Sequence, residues 1–183
     1  MSRLRCHFLA LVLSLTLLAG CAAIPPAAPP RAEEGRVERS LYALQLQRWG
    51  ETRFSGILAV QRAPGTLRYA LLDASGVKLL EARQNEGAGQ EVLHVKAVVA
   101  DSGLPGFLGT ALERLFWLRA WCPPCSGPWW RRLCREAGGG TSGRFGPLPL
   151  WRVEHPAGEV AGELTYSQPW IGMRLTLRPL PSQ

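Results

Sequence analysis

The chain has 183 residues, 46% of them apolar, with 21 Lys and Arg against 14 Asp and Glu and a formal net charge of +7. That length makes one domain of ordinary size with a real hydrophobic core. The positive charge is almost all arginine, scattered apart from Arg131-Arg132 and without a block of five like charges, which speaks against a nucleic-acid partner. An arginine-rich solvated surface accounts for it, and a mild attraction to anionic lipid head groups fits as well.

The chain opens with Arg3 and Arg5, then an apolar run from Phe8 to Leu18, then Ala19-Gly20-Cys21. A basic start, an apolar stretch and small residues before a cleavage point make a secretory signal. The stretch Leu9 to Leu18 is short of the roughly 20 residues that a spanning helix needs. Leu18-Ala19-Gly20-Cys21 resembles the lipobox of bacterial lipoproteins. The resemblance implies that Cys21 carries a diacylglycerol thioether and becomes the new N-terminus. Residues 1–20 are therefore expected as the signal, 21–35 as a tether and 36–183 as a single folded domain. The tether expectation rests on Pro25-Pro26 and Pro29-Pro30, which favour an extended, semi-rigid chain of ~3.1 Å per residue.

Strand-like segments follow. Leu44 to Gln47 alternates apolar and polar residues. Phe54 to Gln61 places Phe54, Gly56, Leu58 and Val60 on one face. Leu67 to Asp73 follows the turn Ala63-Pro64-Gly65, and Val77 to Arg83 follows the turn Asp73-Ala74-Ser75-Gly76. Short alternating runs split by Gly and Pro predict an antiparallel meander. Gln84 to Gln90 reads as a polar loop and Glu91 to Ala100 as one more strand. From Leu104 to Trp121 the spacing of Phe107, Leu108, Leu112, Leu115, Phe116, Leu118 and Trp121 predicts a helix with one broad apolar face. Pro105 sits near its start, and Pro123-Pro124 would stop it. Trp129 to Glu136 fits helix or strand, and Ala137 to Gly146 reads as a glycine-rich loop. Leu148 to Val153, Val160 to Tyr166 and Ile171 to Arg178 return to strands. The expected class is α+β: a curved antiparallel β-sheet with the helix laid against its concave face, which buries both apolar sets.

Outside the leader, and with Cys21 lipidated, Cys122, Cys125 and Cys134 remain in an oxidising compartment, so one bridge and one leftover thiol are expected. A structural bridge from Cys122 or Cys125 to Cys134 would close a loop of about ten residues. Trp121-Cys122-Pro123-Pro124-Cys125 also resembles the thioredoxin active-site segment, which implies a periplasmic thiol–disulfide oxidoreductase using Cys122 and Cys125. The preceding amphipathic helix and the N-terminal meander depart from that family's βαβ context. Zinc on the same cysteines with His94 or His155 has the right CxxC start but the wrong compartment, so neither metal nor cofactor is expected. Asp73 and Asp101 stand beside turn residues and read as backbone-bonding turn carboxylates. Hydrolase, P-loop and dinucleotide motifs are missing from the sequence. The seven tryptophans (49, 117, 121, 129, 130, 151 and 170) divide between core positions and sites apolar at one end and wet at the other. Core is the expected fate for Trp129-Trp130, with a head-group contact as the alternative.

The lipobox, the tether, Phe54–Val60, Leu67–Asp73, Gly76–Leu80, Leu104–Leu108 and Gly172–Leu177 together resemble the LolA/LolB-like superfamily of periplasmic carriers and outer-membrane lipoprotein receptors. The resemblance implies a half-open β-barrel capped by helices, whose apolar cavity receives acyl chains. On that reading Leu58, Val60, Leu71, Leu79, Leu115, Trp117 and Leu175 are cavity or core residues. Ala22, in place of an Asp after the lipidated cysteine, implies an outer-membrane, periplasm-facing address. The expected function is non-catalytic binding of lipid or lipoprotein acyl chains by a membrane-anchored protein, with no nucleic acid. The alternatives are the oxidoreductase and a structural lipoprotein that binds an envelope protein through its sheet.

Overall fold

The computed structural model describes residues 37–118, 125–136, 139–155 and 162–181. The chain divides into two compact units, Met1–Glu34 and Gly35–Gln183, and every described residue belongs to the second. The expected signal, the tether and Cys21 lie outside the described residues, as do Trp121 and Cys122.

Among the described residues, the second unit is built on one antiparallel sheet of eleven strands. These are β1 (Glu38–Arg48), β2 (Glu51–Ala63), β3 (Thr66–Leu72), β4 (Lys78–Asn85), β5 (Gly89–Val95), β6 (Cys125–Ser126), β7 (Arg132–Arg135), β8 (Thr141–Phe145), β9 (Leu148–Glu154), β10 (Leu164–Gln168) and β11 (Met173–Pro179). Their spatial order is β5-β4-β3-β2-β1-β11-β10-β9-β8-β7-β6, so the sheet is open, with β5 and β6 at its edges. Two meanders, β1 to β5 and β6 to β11, join where β1 pairs with β11 from Tyr42↔Pro179 to Arg48↔Met173. Between them run a helical turn α1 (Ala97–Ala100) and the helix α2 (Leu104–Phe116).

The period-two pattern of the sequence fixes which face is buried. Leu44 and Leu46 of β1, Leu58 and Val60 of β2, Tyr69 and Leu71 of β3, and Leu175 and Leu177 of β11 share one cluster. Helix α2 adds Leu108, Ala111, Leu112 and Leu115, the i, i+3, i+4, i+7 stripe of an amphipathic helix. It touches β4, β5 and β10. Asp73 closes the β3–β4 turn by accepting from the Ser75 and Val77 amides at 2.9 and 3.0 Å. These bonds, led by the Ser75 hydroxyl, hold its carboxyl below the usual carboxylate range.

Several local expectations are corrected. Gln84 to Gln90 is not a loop: it supplies the end of β4 and the start of β5 around a three-residue turn. The expected strand Glu91 to Ala100 stops at Val95, because the Lys96 amide turns back to the Leu79 carbonyl at 2.9 Å and Ala97–Ala100 coil into α1. The long helix ends at Phe116, with Trp117 as its C-cap. The glycine-rich stretch contains β8, whose Thr141, Ser142 and Gly143 are buried. Here glycine makes room rather than a loop. A Cβ on Gly143 would come within 2.2 Å of the Trp151 ring, its partner in the β8–β9 register. Trp129–Glu136 resolves into a turn followed by β7.

Candidate functional site

The seven residues expected for cavity or core all lie in the second unit. Leu58, Leu71 and Leu175 are fully buried, and Val60, Leu79 and Leu115 nearly so. All of these except Leu79 belong to the main cluster, and half-buried Trp117 packs against it. Opposite the helix, the sheet face is filled by side chains such as Tyr69, Tyr166, Leu67 and Leu80.

Space opens at the C-terminal end of α2. A pocket of about 380 Å³ is lined by Leu115 and Phe116 of the helix, Tyr42 of β1, Arg62 of β2, Arg135 of β7, Thr141 of β8 and Leu164 of β10, with Gly139 and His155 from the adjoining loops. The Arg62 guanidinium lies 5.4 Å from the Phe116 ring centre and pairs with Glu38. Tyr42 meets Phe116 at 6.2 Å between ring centres. Glu136, beside Arg135, accepts from the Ser142 hydroxyl at 2.5 Å and from Arg144 at 3.3 Å. The hydroxyl contact first, then the guanidinium, hold its carboxyl below the usual range.

A polar node anchors the helix beside this pocket. Arg114 donates to the Tyr166 hydroxyl, and its guanidinium lies 4.7 Å from the Trp151 ring centre and 5.6 Å from that of Tyr166. Gln168 donates to the same hydroxyl at 2.6 Å. Burial pushes the Tyr166 phenol up, while Arg114 and Gln168 pull it back. Sequence reasoning passed over Arg114, Trp151 and Tyr166. The available signal was a single cation, Arg114, inside an otherwise apolar helical face.

A wider concavity of about 1210 Å³ lies on the other side of the sheet. There the register row Leu41–Ala59–Ala70–Glu81 crosses four strands facing away from α2, next to Pro179, Leu180 and Pro181. Of the seven residues expected for cavity or core only Val60 borders it, so it is not a space that those residues enclose.

Cys125 is bonded to Cys134 across the β6–β7 ladder, so it forms no couple with Cys122 in this structure. The bond joins two adjacent strands, whereas the redox expectation places the dithiol at a helix tip. His94 is exposed on edge strand β5. Among the described residues no three of His, Cys, Asp and Glu are grouped to hold a metal, and no helix is long and apolar enough to cross a membrane. No protein-family model matches this chain, and no curated protein matches it.

Proposed function

We propose that this protein is a lipid-anchored envelope lipoprotein, facing the periplasm from the outer membrane through Cys21, that binds acyl chains between its sheet and α2 without catalysis. The pocket at the end of α2 is the observation that supports this most. Arg62 of β2 and Arg135 of β7 both line it, although their strands are six places apart in the sheet. In a flat sheet, strands six places apart lie about 29 Å from one another at ~4.8 Å per strand. A common pocket therefore favours a sheet curved around the helix, a half-open barrel with α2 against its concave face. That shape is what the LolA/LolB resemblance implies.

In this arrangement the leucines of α2 occupy the apolar face that acyl chains would use. Chains entering beside Leu115 and Phe116 would displace the helix and gain about 0.8 kcal/mol for each CH₂ removed from water. Native mass spectrometry of protein purified from membranes tests the reading. Co-purified lipid is expected, with less of it in Leu115→Trp, which fills the pocket mouth. Protein that stays empty, even with added phospholipid, would refute it.

A second reading, a protein partner docked along the sheet edge, is favoured by β5. That edge strand is exposed along nearly its whole length, with Val92, Leu93 and Val95 all in solvent.

A further inference from the structure

The turns at one end of the sheet form a continuous apolar rim. The Trp49 amide in the β1–β2 turn donates to the Gly172 carbonyl in the β10–β11 turn at 2.7 Å. In that second turn the Trp170 indole donates to the Pro149 carbonyl at the start of β9, also at 2.7 Å. Strand β9 begins with Leu148, which faces Phe145 across the β8–β9 turn. The Gly146 amide of that turn donates to the Trp130 carbonyl of the β6–β7 turn at 3.2 Å. Trp129 and Trp130 meet there edge to face at 5.8 Å. Four hairpin turns are thus linked side by side.

What they present to solvent is large and aromatic. Trp129 is 69% exposed, Trp49 65%, Trp170 58%, Phe145 57% and Trp130 49%. Four of the seven tryptophans stand at this one end, and none of them lines either concavity described above. Projecting tips suit insertion between lipid head groups better than they suit a helix or strand seeking a groove. Indoles in particular favour that layer, with the ring in an apolar medium and the N–H in a wet one.

The charge on the rim is complementary to an anionic surface. Arg48, Arg131, Arg132 and Arg174 are exposed there. Among the described residues none of the four has a carboxylate within 4.0 Å, whereas Glu51 at the same end is already paired with Arg53 at 2.6 Å. The strand register also puts this rim at the far end of β1 from Glu38, where the chain enters the sheet.

We infer that this aromatic and arginine rim is a membrane-docking surface, which seats the domain on an anionic phospholipid bilayer independently of its N-terminal lipid. The test exploits the absence of tryptophan before Trp49 in the sequence, which makes indole fluorescence blind to the anchor. The full chain is reconstituted into vesicles of phosphatidylcholine with or without phosphatidylglycerol, each carrying brominated acyl chains as contact quenchers. Strong quenching is expected with phosphatidylglycerol, and it should weaken in high salt. Trp129→Ser/Trp130→Ser should abolish most of it while retaining the wild-type circular dichroism. Arg131→Gln and Arg132→Gln should each lower the ratio of docked to undocked domain read by quenching on the anionic vesicles about fivefold. Quenching that survives the double tryptophan variant would overturn the inference, as would quenching indifferent to lipid charge and salt. So would a lipid-free dimer that the same double variant dissociates, because the rim would then be covered by a second copy.

Discussion

Tyr69 carries the clearest single-residue consequence. Its ring is almost fully buried between Leu58, Val60 and Leu71, and its hydroxyl finds no hydrogen-bond partner among the described residues. Burial without compensation pushes its pKa well above the ordinary 10.0. Leaving such a group unsatisfied is costly, so Tyr69→Phe should stabilise the domain by about 1 kcal/mol, read as a higher urea midpoint with an unchanged slope. The same burial sets a pH dependence. Tyr69 and Tyr166 both have raised pKa values, so the unfolded chain loses its phenolic protons first as pH climbs past 10. Their contribution is fully present below that point and is lost as pH rises through the folded values. Urea titrations above pH 10 should show stability falling by up to about 1.4 kcal/mol per pH unit for each tyrosine, and Tyr69→Phe should flatten that slope.

Among the elements, the β6–β9 half of the sheet depends on two local devices. The Cys125–Cys134 bond closes a short loop, with a sequence separation of 9, around the turn that displays Trp129 and Trp130. Its removal by Cys125→Ser/Cys134→Ser should cost about 2–3 kcal/mol in the loop-entropy model. The melting temperature should then fall by about 5–10 °C in calorimetry. If it is unchanged, the β6–β7 hairpin contributes nothing to the cooperative unit. The second device is the missing side chain at Gly143. A methyl group there meets the Trp151 indole, which also stacks on Arg114 of α2. Gly143→Ala is expected to destabilise the domain by about 1–3 kcal/mol through overpacking. It should also shift the near-ultraviolet dichroism of Trp151, while Gly146→Ala, with open space at its Cβ position, should leave that band alone.

At the level of the whole molecule, the open sheet leaves β5 and β6 without a further strand on their outer sides among the described residues. Natural sheets guard such edges with charge, and β5 offers only Glu91 and His94 beside Val92, Leu93 and Val95. Val92→Lys should therefore reduce any concentration-dependent association seen by sedimentation, without loss of stability. A species that still self-associates would place the contact elsewhere. The edge, the pocket at the end of α2 and the aromatic rim are separate surfaces of one domain. On the function proposed above, each has a use: a partner at the edge, an acyl chain at the pocket and a bilayer at the rim.

The sequence by itself determined the alternation of β1, β2, β3 and β11, the turns at Ala63-Pro64-Gly65 and Asp73–Gly76, and the apolar stripe of α2. Those signals are local: side chains alternate with period two or recur every three to four residues whatever lies opposite them. It left open which cysteine joins Cys134, because spacing measures the length of a loop and not which strand lies alongside. It also misread Thr141–Phe145, where glycine signals flexibility in isolation but in the sheet vacates the volume that Trp151 fills. Tryptophan composition favoured core over surface for residues 129 and 130, and the structure overturns that expectation, because both rings are exposed. Only the folded sheet decided between them, by bringing four turns distant in sequence to one end, where these rings remain about half exposed or more.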